Sequence, residues 1–190
     1  MLTTLLARLA QALDEAHIPY MVIGGQAVLL YGEPRLTRDI DVTVGLTPSH
    51  LPRVLAVVQS LGLQVLVPDV TSFVEQTWVL PTLDETTGLR VDFIFSWTPY
   101  EQSAIGRARK VPLGGGMVTF ASPEDVIIHK MLAGRARDEE DVRSILRKQT
   151  VDAEDIRQWL EEFDAALGTA TRSKFESLWE EVQAEAKQGR

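Results

Sequence analysis

The sequence predicts an α+β fold, a mixed α/β sheet followed by a helical C-terminal part, and three observations carry that expectation. Strand-like and helix-like segments interleave through the first 120 residues. Helical periodicity alone follows them. No flexible linker marks the change, which comes near Ala121. The expected organisation is a core over residues 1–121 and a helical region over 122–190 that shares one cleft with it. A chain of 190 residues is long enough for a domain with such an appendage.

Taken in order, residues 2–16 read as an amphipathic helix, with Leu2, Leu5, Leu6, Leu9 and Leu13 at helical spacing and Pro19 ending it. Tyr20–Ile23 is a short buried strand broken by Gly24-Gly25, and Gln26–Tyr31 forms one or two helical turns. Gly32-Glu33-Pro34 is a turn. Ile40–Val44 is a second strand. Thr47-Pro48 opens a helix that runs to Leu61 and is capped by Gly62. Gln64–Val67 and Thr77–Leu80 are candidate strands, Pro81–Gly88 a polar loop, Leu89–Phe95 a strand and Pro99–Ala108 a helix. Arg109–Leu113 and Met117–Phe120 flank three glycines as a hairpin. Ser122-Pro123-Glu124-Asp125 is a helix start, with an N-cap serine, proline at N1 and acids in the first turn. That helix runs to Ala133, and helices over 138–148, 153–166 and 172–187 follow.

Composition excludes several classes. There are no cysteines, so disulfides, zinc thiolates and thiol nucleophiles are absent. No run of about 18 apolar residues suggests a membrane span. The N-terminus lacks a basic leader and meets acids where a cleavage site belongs, so no signal peptide is expected and a cytoplasmic protein is the simplest reading. The formal net charge is −8. Residues 1–150 carry 14 basic and 17 acidic side chains and residues 151–190 carry 5 and 10, so the acidity concentrates in the tail. That balance argues against a general nucleic-acid coat protein but leaves room for a local basic cleft.

The chemistry-bearing stretch is VIGGQAVLLYGEPRLTRDIDVTV, Val22 to Val44. Asp39 and Asp41, spaced i, i+2 on a strand, point to one face. Two like charges side by side need a cation between them, and a hard divalent ion such as Mg²⁺ suits carboxylates plus phosphate oxygens. Asp92 lies in the apolar run Leu89–Phe95, where a buried carboxylate needs a partner. Three aspartates on neighbouring strands suit two-metal phosphoryl or nucleotidyl transfer, in which ions about 3.5–4 Å apart clamp the attacking and leaving oxygens. Asp39 and Asp41 would hold both ions, and Asp92 one of them, while accepting the proton of the attacking group. Gly24-Gly25 would let backbone N–H groups approach a triphosphate at a helix N-terminus.

The ordered set of Gly24-Gly25, Asp39-x-Asp41 and a lone Asp92 on a later hydrophobic strand resembles the DNA polymerase β-like nucleotidyltransferase superfamily over roughly Tyr20 to Leu146. The stretch EDVIIHKMLAGRARDEEDVRSIL, with Lys130, Arg137, Asp138 and Asp141, is similar to the AbiE-type toxin–antitoxin nucleotidyltransferases (the AbiEii-like group). The resemblance implies a nucleotidyltransferase-type core and an Mg²⁺- or Mn²⁺-dependent enzyme. It would move a nucleoside monophosphate from NTP to an acceptor hydroxyl, on an RNA end such as tRNA or on a protein. It further implies a possible antitoxin-like partner, Lys130 at the phosphates, and Asp138 with Asp141 positioning the nucleotide or neighbouring groups. Gln26 stands where many relatives carry a phosphate-binding serine, and Arg38 replaces a small polar residue.

Other readings stay open. An aminoglycoside-type small acceptor is the enzymatic alternative, and a non-catalytic nucleotide-binding or interaction protein of the same fold is the other. As lesser alternatives, Asp39 and Asp41 read as solvent-facing residues of an edge strand, Asp92 as a structural carboxylate, Gly24-Gly25 as a plain turn, Lys130 as a solvated helix residue, and Asp138 as a helix cap. Arg35 and Arg38 either bind phosphate or acceptor or form a solvated turn. Arg107, Arg109, Lys110, Arg135, Arg137, Arg143, Arg147 and Lys148 would make an RNA-facing patch if they cluster on one face. His17, His50 and His129 have no ligand spacing. Trp159, Phe163, Phe175 and Trp179 read as packing residues of a helical pair.

Overall fold

The computed structural model describes residues 1–188. It divides into two compact units: residues 1–26 with 37–121, and residues 27–36 with 122–190. The first unit holds the whole sheet. Its strands are β1 (Tyr20–Ile23), β2 (Asp39–Val44), β3 (Gln64–Val65), β4 (Val79–Asp84), β5 (Leu89–Phe95), β6 (Arg109–Leu113) and β7 (Gly116–Phe120). They lie in the order β3-β4-β5-β2-β1-β7-β6. The β2–β5 and β1–β7 pairs are parallel and the remaining pairs antiparallel. The mixed fold class expected from interleaved periodicities is therefore what the chain adopts.

The centre of the sheet is where the sequence is most apolar. Ile40, Val42 and Val44 of β2, Met21 and Val22 of β1, and Val91, Phe93 and Phe95 of β5 are buried. Helix α1 (Leu2–Glu15) lays Leu5, Leu6, Leu9 and Leu13 into this core and packs on β7. Each buried leucine is worth roughly 2 kcal/mol of transfer free energy. Helix α3 (Leu51–Leu61), reached through a 3-10 turn at Pro48–His50, adds Val54, Val57 and Val58 and ends on Gly62 in the left-handed conformation.

Two expectations in this unit need correction. Residues 70–77 form a helix, α4 (Val70–Thr77), because the Asp69 side chain accepts from the Ser72 N–H at 3.1 Å as an N-cap. The strand expected at Thr77–Leu80 begins only at Val79, after Trp78 closes α4 with φ 59°. It then runs through Pro81 to Asp84, inside the stretch expected to be a loop. Proline normally argues against a strand interior. Here the outer neighbour β3 is only two residues long and pairs at Thr82 and Leu83, so the missing N–H falls outside that ladder. A short helix, α5 (Pro99–Gly106), opens on a Thr98–Glu101 capping box before the β6–β7 hairpin.

The second unit is helical. Helix α2 (Gly24–Tyr31) starts in the first unit and carries Ala27–Tyr31 into the second. Helices α6 (Pro123–Ala133), α7 (Ala136–Lys148), α8 (Ala153–Leu167) and α9 (Thr171–Gln188) complete it. Ile127, Ile128, Val142, Ile145, Ile156, Leu160, Phe175 and Leu178 form its core. Phe175 and Trp179 on α9 pack as expected, with ring centroids 6.1 Å apart. The segment after α2 is tied to α7: the Glu33 N–H donates to Ser144 Oγ at 2.6 Å, and Gln149 Nε2 donates to the Tyr31 carbonyl at 3.0 Å. Among the described residues, no helix is long and apolar enough to cross a membrane.

Candidate active site

In the first unit, strand register builds the site. Pairing of β2 with β5 sets Asp39 opposite Arg90 and Asp41 opposite Asp92. Side chains two apart on a strand share a face, and registered neighbours on parallel strands point the same way. The result is a block of four ionic side chains, three aspartates and one arginine, on one face of the central sheet. The burial pattern agrees: the ionic positions are open or half-open while Ile40, Val91 and Phe93 between and beyond them are closed. Asp92 is only partly covered, its side chain 16% exposed. Its neighbour on the other side is Pro81 of β4, which offers no charge.

Gly24 completes one wall. It sits at φ 63°, a left-handed conformation that costs a side-chain-bearing residue about 1–2 kcal/mol. A Cβ there would lie 2.0 Å from Asp41 Oδ2, so the first turn of α2 presses directly on that carboxylate. A Cβ on Gly25 would meet the Thr37 hydroxyl at 2.4 Å. Thr37 Oγ1 in turn donates to Asp39 Oδ1 at 2.7 Å, and Gln26 Nε2 donates to the Asp39 backbone carbonyl at 3.0 Å. Gln26 is buried, and this bond braces the start of β2 against the first turn of α2. Arg38 is exposed next to Asp39.

Arg90 was not singled out by sequence reasoning. Its Nε donates to Asp92 Oδ1 at 2.7 Å. That hydrogen bond, with the charges of Asp92, Asp39 and Asp41, lifts the guanidinium above its usual pKa against the opposing effect of burial. The signal was present all the same: Arg90 and Asp92 repeat the i, i+2 spacing of Asp39 and Asp41.

The second unit brings together a different set. Lys130 Nζ lies 2.7 Å from Asp138 Oδ1 and 2.9 Å from Asp141 Oδ2. Arg35 grips Asp141 with two parallel bonds, Nε to Oδ1 at 2.7 Å and Nη2 to Oδ2 at 2.8 Å. Asp138 Oδ2 also accepts the Arg135 N–H at 3.1 Å, which caps α7. Both aspartates are buried, and Lys130 is 12% exposed. Burial raises the Asp141 carboxyl, but the bonds from Arg35 and Lys130 outweigh it and hold it below the usual range. Arg35, expected at the metal site or in a solvated turn, is thus an ion-pair partner of α7. Arg137 is exposed.

Of the expected RNA-facing basic set, Arg107, Arg109 and Lys110 belong to the first unit and the rest to the second. On α7, Arg143 pairs with Glu181 at 2.9 Å and Arg147 with Glu185 at 3.0 Å, both on α9, while Lys148 pairs with Glu33 at 2.8 Å.

The three aspartates suit a hard divalent cation: all donors are oxygen, and with Arg90 included the four registered side chains sum to a charge of minus two. Among the described residues, no three acidic or histidine side chains converge as a ready ligand set.

The sequence matches the family described as "Nucleotidyl transferase AbiEii toxin, Type IV TA system" over residues 4–188. By sequence, no curated protein matches the chain. Solved structures share the fold. The antibiotic-resistance factor ANT(2″)-Ia in solution is 18% identical, with a TM-score of 0.59 over 98% of this chain and 97% of that one. The same protein in complex with adenylyl-2″-tobramycin is 20% identical, with a TM-score of 0.58 over 93% and 97%. An antigenic nucleotidyltransferase-like protein from Paracoccidioides brasiliensis is 17% identical, with a TM-score of 0.58 over 94% and 92%.

Proposed function

The chain belongs to the AbiEii nucleotidyltransferase family of type IV toxin–antitoxin systems, and from that premise we propose that it transfers a nucleoside monophosphate from an NTP to a hydroxyl on an RNA end or a protein, releasing pyrophosphate, with Mg²⁺ or Mn²⁺, as the toxin of a pair. The observation that carries the reading is the registered block of Asp39, Asp41 and Asp92 beside the Gly24-Gly25 turn.

Each residue has a role in this reading. Asp39 and Asp41 hold the metal, with Thr37 and Gln26 fixing Asp39 and Gly24 leaving the Asp41 carboxylate uncovered by a side chain. Asp92 is the third ligand and accepts the proton of the attacking hydroxyl. A bound divalent ion would neutralise charge developing on the transferred phosphoryl group. The N–H groups at the start of α2 meet phosphate oxygens, and Arg38, exposed beside Asp39, meets phosphate as well. An ammonium has three donors; Lys130 gives two to Asp138 and Asp141 and keeps one for a phosphate oxygen. Asp138 positions that lysine. The working place in this reading is the cytoplasm, with an antitoxin as binding partner.

A small hydroxylated acceptor is the second reading, favoured by one observation. Two of the α7 arginines that would face RNA, Arg143 and Arg147, are paired with α9. The test is label transfer from each of the four α-labelled NTPs with Mg²⁺, offering total RNA, tRNA, cell protein and aminoglycosides as acceptors, on wild type and Asp41→Asn. Label on RNA or protein that disappears in the variant supports the first reading, and label on the small acceptor alone supports the second. Transfer undiminished in Asp41→Asn overturns the assignment of the site.

A further inference from the structure

Arg90 has no role in the reaction as described, yet it lies inside the acidic block. It is opposite Asp39 in register, two residues from Asp92 on the same strand face, and hydrogen-bonded to Asp92 Oδ1 at 2.7 Å. We propose that Arg90 is a built-in counter-cation that occupies Asp92 until a divalent metal displaces it, so that it sets the metal affinity of the site. The inference rests on the metal-binding reading above and deepens it.

Three carboxylates on adjacent strand positions repel one another, and a folded protein without metal must offset that repulsion. Asp39 has the Thr37 hydroxyl, but a hydroxyl brings no charge. Pro81, on the far side of Asp92, brings none either. Arg90 supplies the one positive charge that the registered block contains. A guanidinium on a carboxylate oxygen also uses a lone pair that a metal would need. This explains why the three aspartates adjoin in register while their side chains do not converge as a ligand set among the described residues. Arg90 is suited to leave. Its side chain is 52% exposed and its stem is long, so release returns the guanidinium to water at small cost. A less exposed arginine held by two bonds to one carboxylate, such as Arg35, would not exchange so readily.

The test is Mn²⁺ binding by calorimetry, without nucleotide, to wild type, Arg90→Met, Asp92→Asn and the double variant, with the thermal midpoint of each metal-free protein. The expected result is that Arg90→Met binds Mn²⁺ about fivefold more tightly and melts at a lower temperature without metal. In the Asp92→Asn background the same change should leave the affinity nearly unaltered, because the competition is for Asp92. Equal or weaker Mn²⁺ binding by Arg90→Met overturns the proposal. So does an equal gain in the Asp92→Asn background, which would assign the effect to the general field of a removed charge. Absence of Mn²⁺ binding in every protein would remove the metal reading itself, and the proposal with it.

Discussion

The acidic block of the first unit and the ionic cluster of the second use the same side chains to opposite ends. Asp39, Asp41 and Asp92 share their registered block with one arginine, so these four side chains sum to a charge of minus two. Asp138 and Asp141 face Lys130 and Arg35 in a buried setting, and the charges cancel. Burying two carboxylates is tolerable only with that balance. The block of the first unit is less covered, and in the metal reading its excess charge is what would draw a cation. Charge balance and burial together therefore separate a set neutralised by its own members from one with charge to spare, where residue type alone does not.

The sharpest way to break the comparison is to unbalance the closed cluster. Lys130→Met leaves two buried carboxylates with one partner, and should cost about 3 kcal/mol of stability, a fall of roughly 6–12 °C in thermal midpoint for a chain of this size. A midpoint within about 1 °C of wild type would show that the cluster is no brace. Gly24→Ala probes the open block next. The left-handed conformation and the 2.0 Å approach to Asp41 Oδ2 predict a loss of about 1–2 kcal/mol together with weaker Mn²⁺ binding, since the carboxylate must move. Unchanged metal affinity would detach the glycine turn from the site.

Acid should act on the second unit through depressed carboxyls. Partial burial raises Asp164, but bonds from Thr169, Thr171 and Arg172 more than reverse this and bring it to about 2. A carboxyl depressed on folding contributes stability in full above its unfolded value of 3.8 and loses it as pH falls towards the folded value. Thermal midpoints should therefore drop between pH 4 and pH 2, with Asp141 contributing in the same direction. Asp164→Asn should melt at a lower temperature at neutral pH and flatten that slope; an unaltered slope contradicts the assignment. The smallest effect is expected at the exposed α7–α9 pairs. Glu185→Gln should cost no more than about 0.5 kcal/mol and leave Arg147 with its Glu140 contact. If RNA binding then rises, the acidic face of α9 masks a nucleic-acid surface; if not, the patch is structural only.

Much of this was legible in the sequence, for reasons that can be named. Tyr20–Ile23 and Leu89–Phe95 declare themselves as strands because they are short apolar runs with glycine or polar boundaries, and the structure reproduces both. The helix starts at Pro123 and Ala153 carry N-capping side chains, at Ser122 and Asp152, whose signature is local. What the sequence hid was set by partners distant in the chain. Pro81 reads as a loop residue until β3 is known to end short of it. Residues 70–77 place Val70, Phe73 and Val74 at helical spacing, but the run is only eight residues long and opens on one cap at Asp69. Arg35 and Asp141 are 106 residues apart, and no spacing rule predicts their bond. Arg90 differs, since the alternation that placed Asp39 and Asp41 on one face places Arg90 there too.

The central claim is that the open acidic block is a metal–nucleotide site. It is tested most directly by thermal melts of wild type and Asp41→Asn with ATP, GTP, CTP and UTP, each with and without Mg²⁺. Ligand at about 100 times its dissociation constant stabilises by roughly 2.7 kcal/mol, on the order of 5–10 °C here. The account predicts a shift of that size for at least one nucleotide, present only with Mg²⁺ and lost in Asp41→Asn, whose own melt without ligand stays close to wild type. A shift that survives in Asp41→Asn, or no shift with any nucleotide, would contradict it.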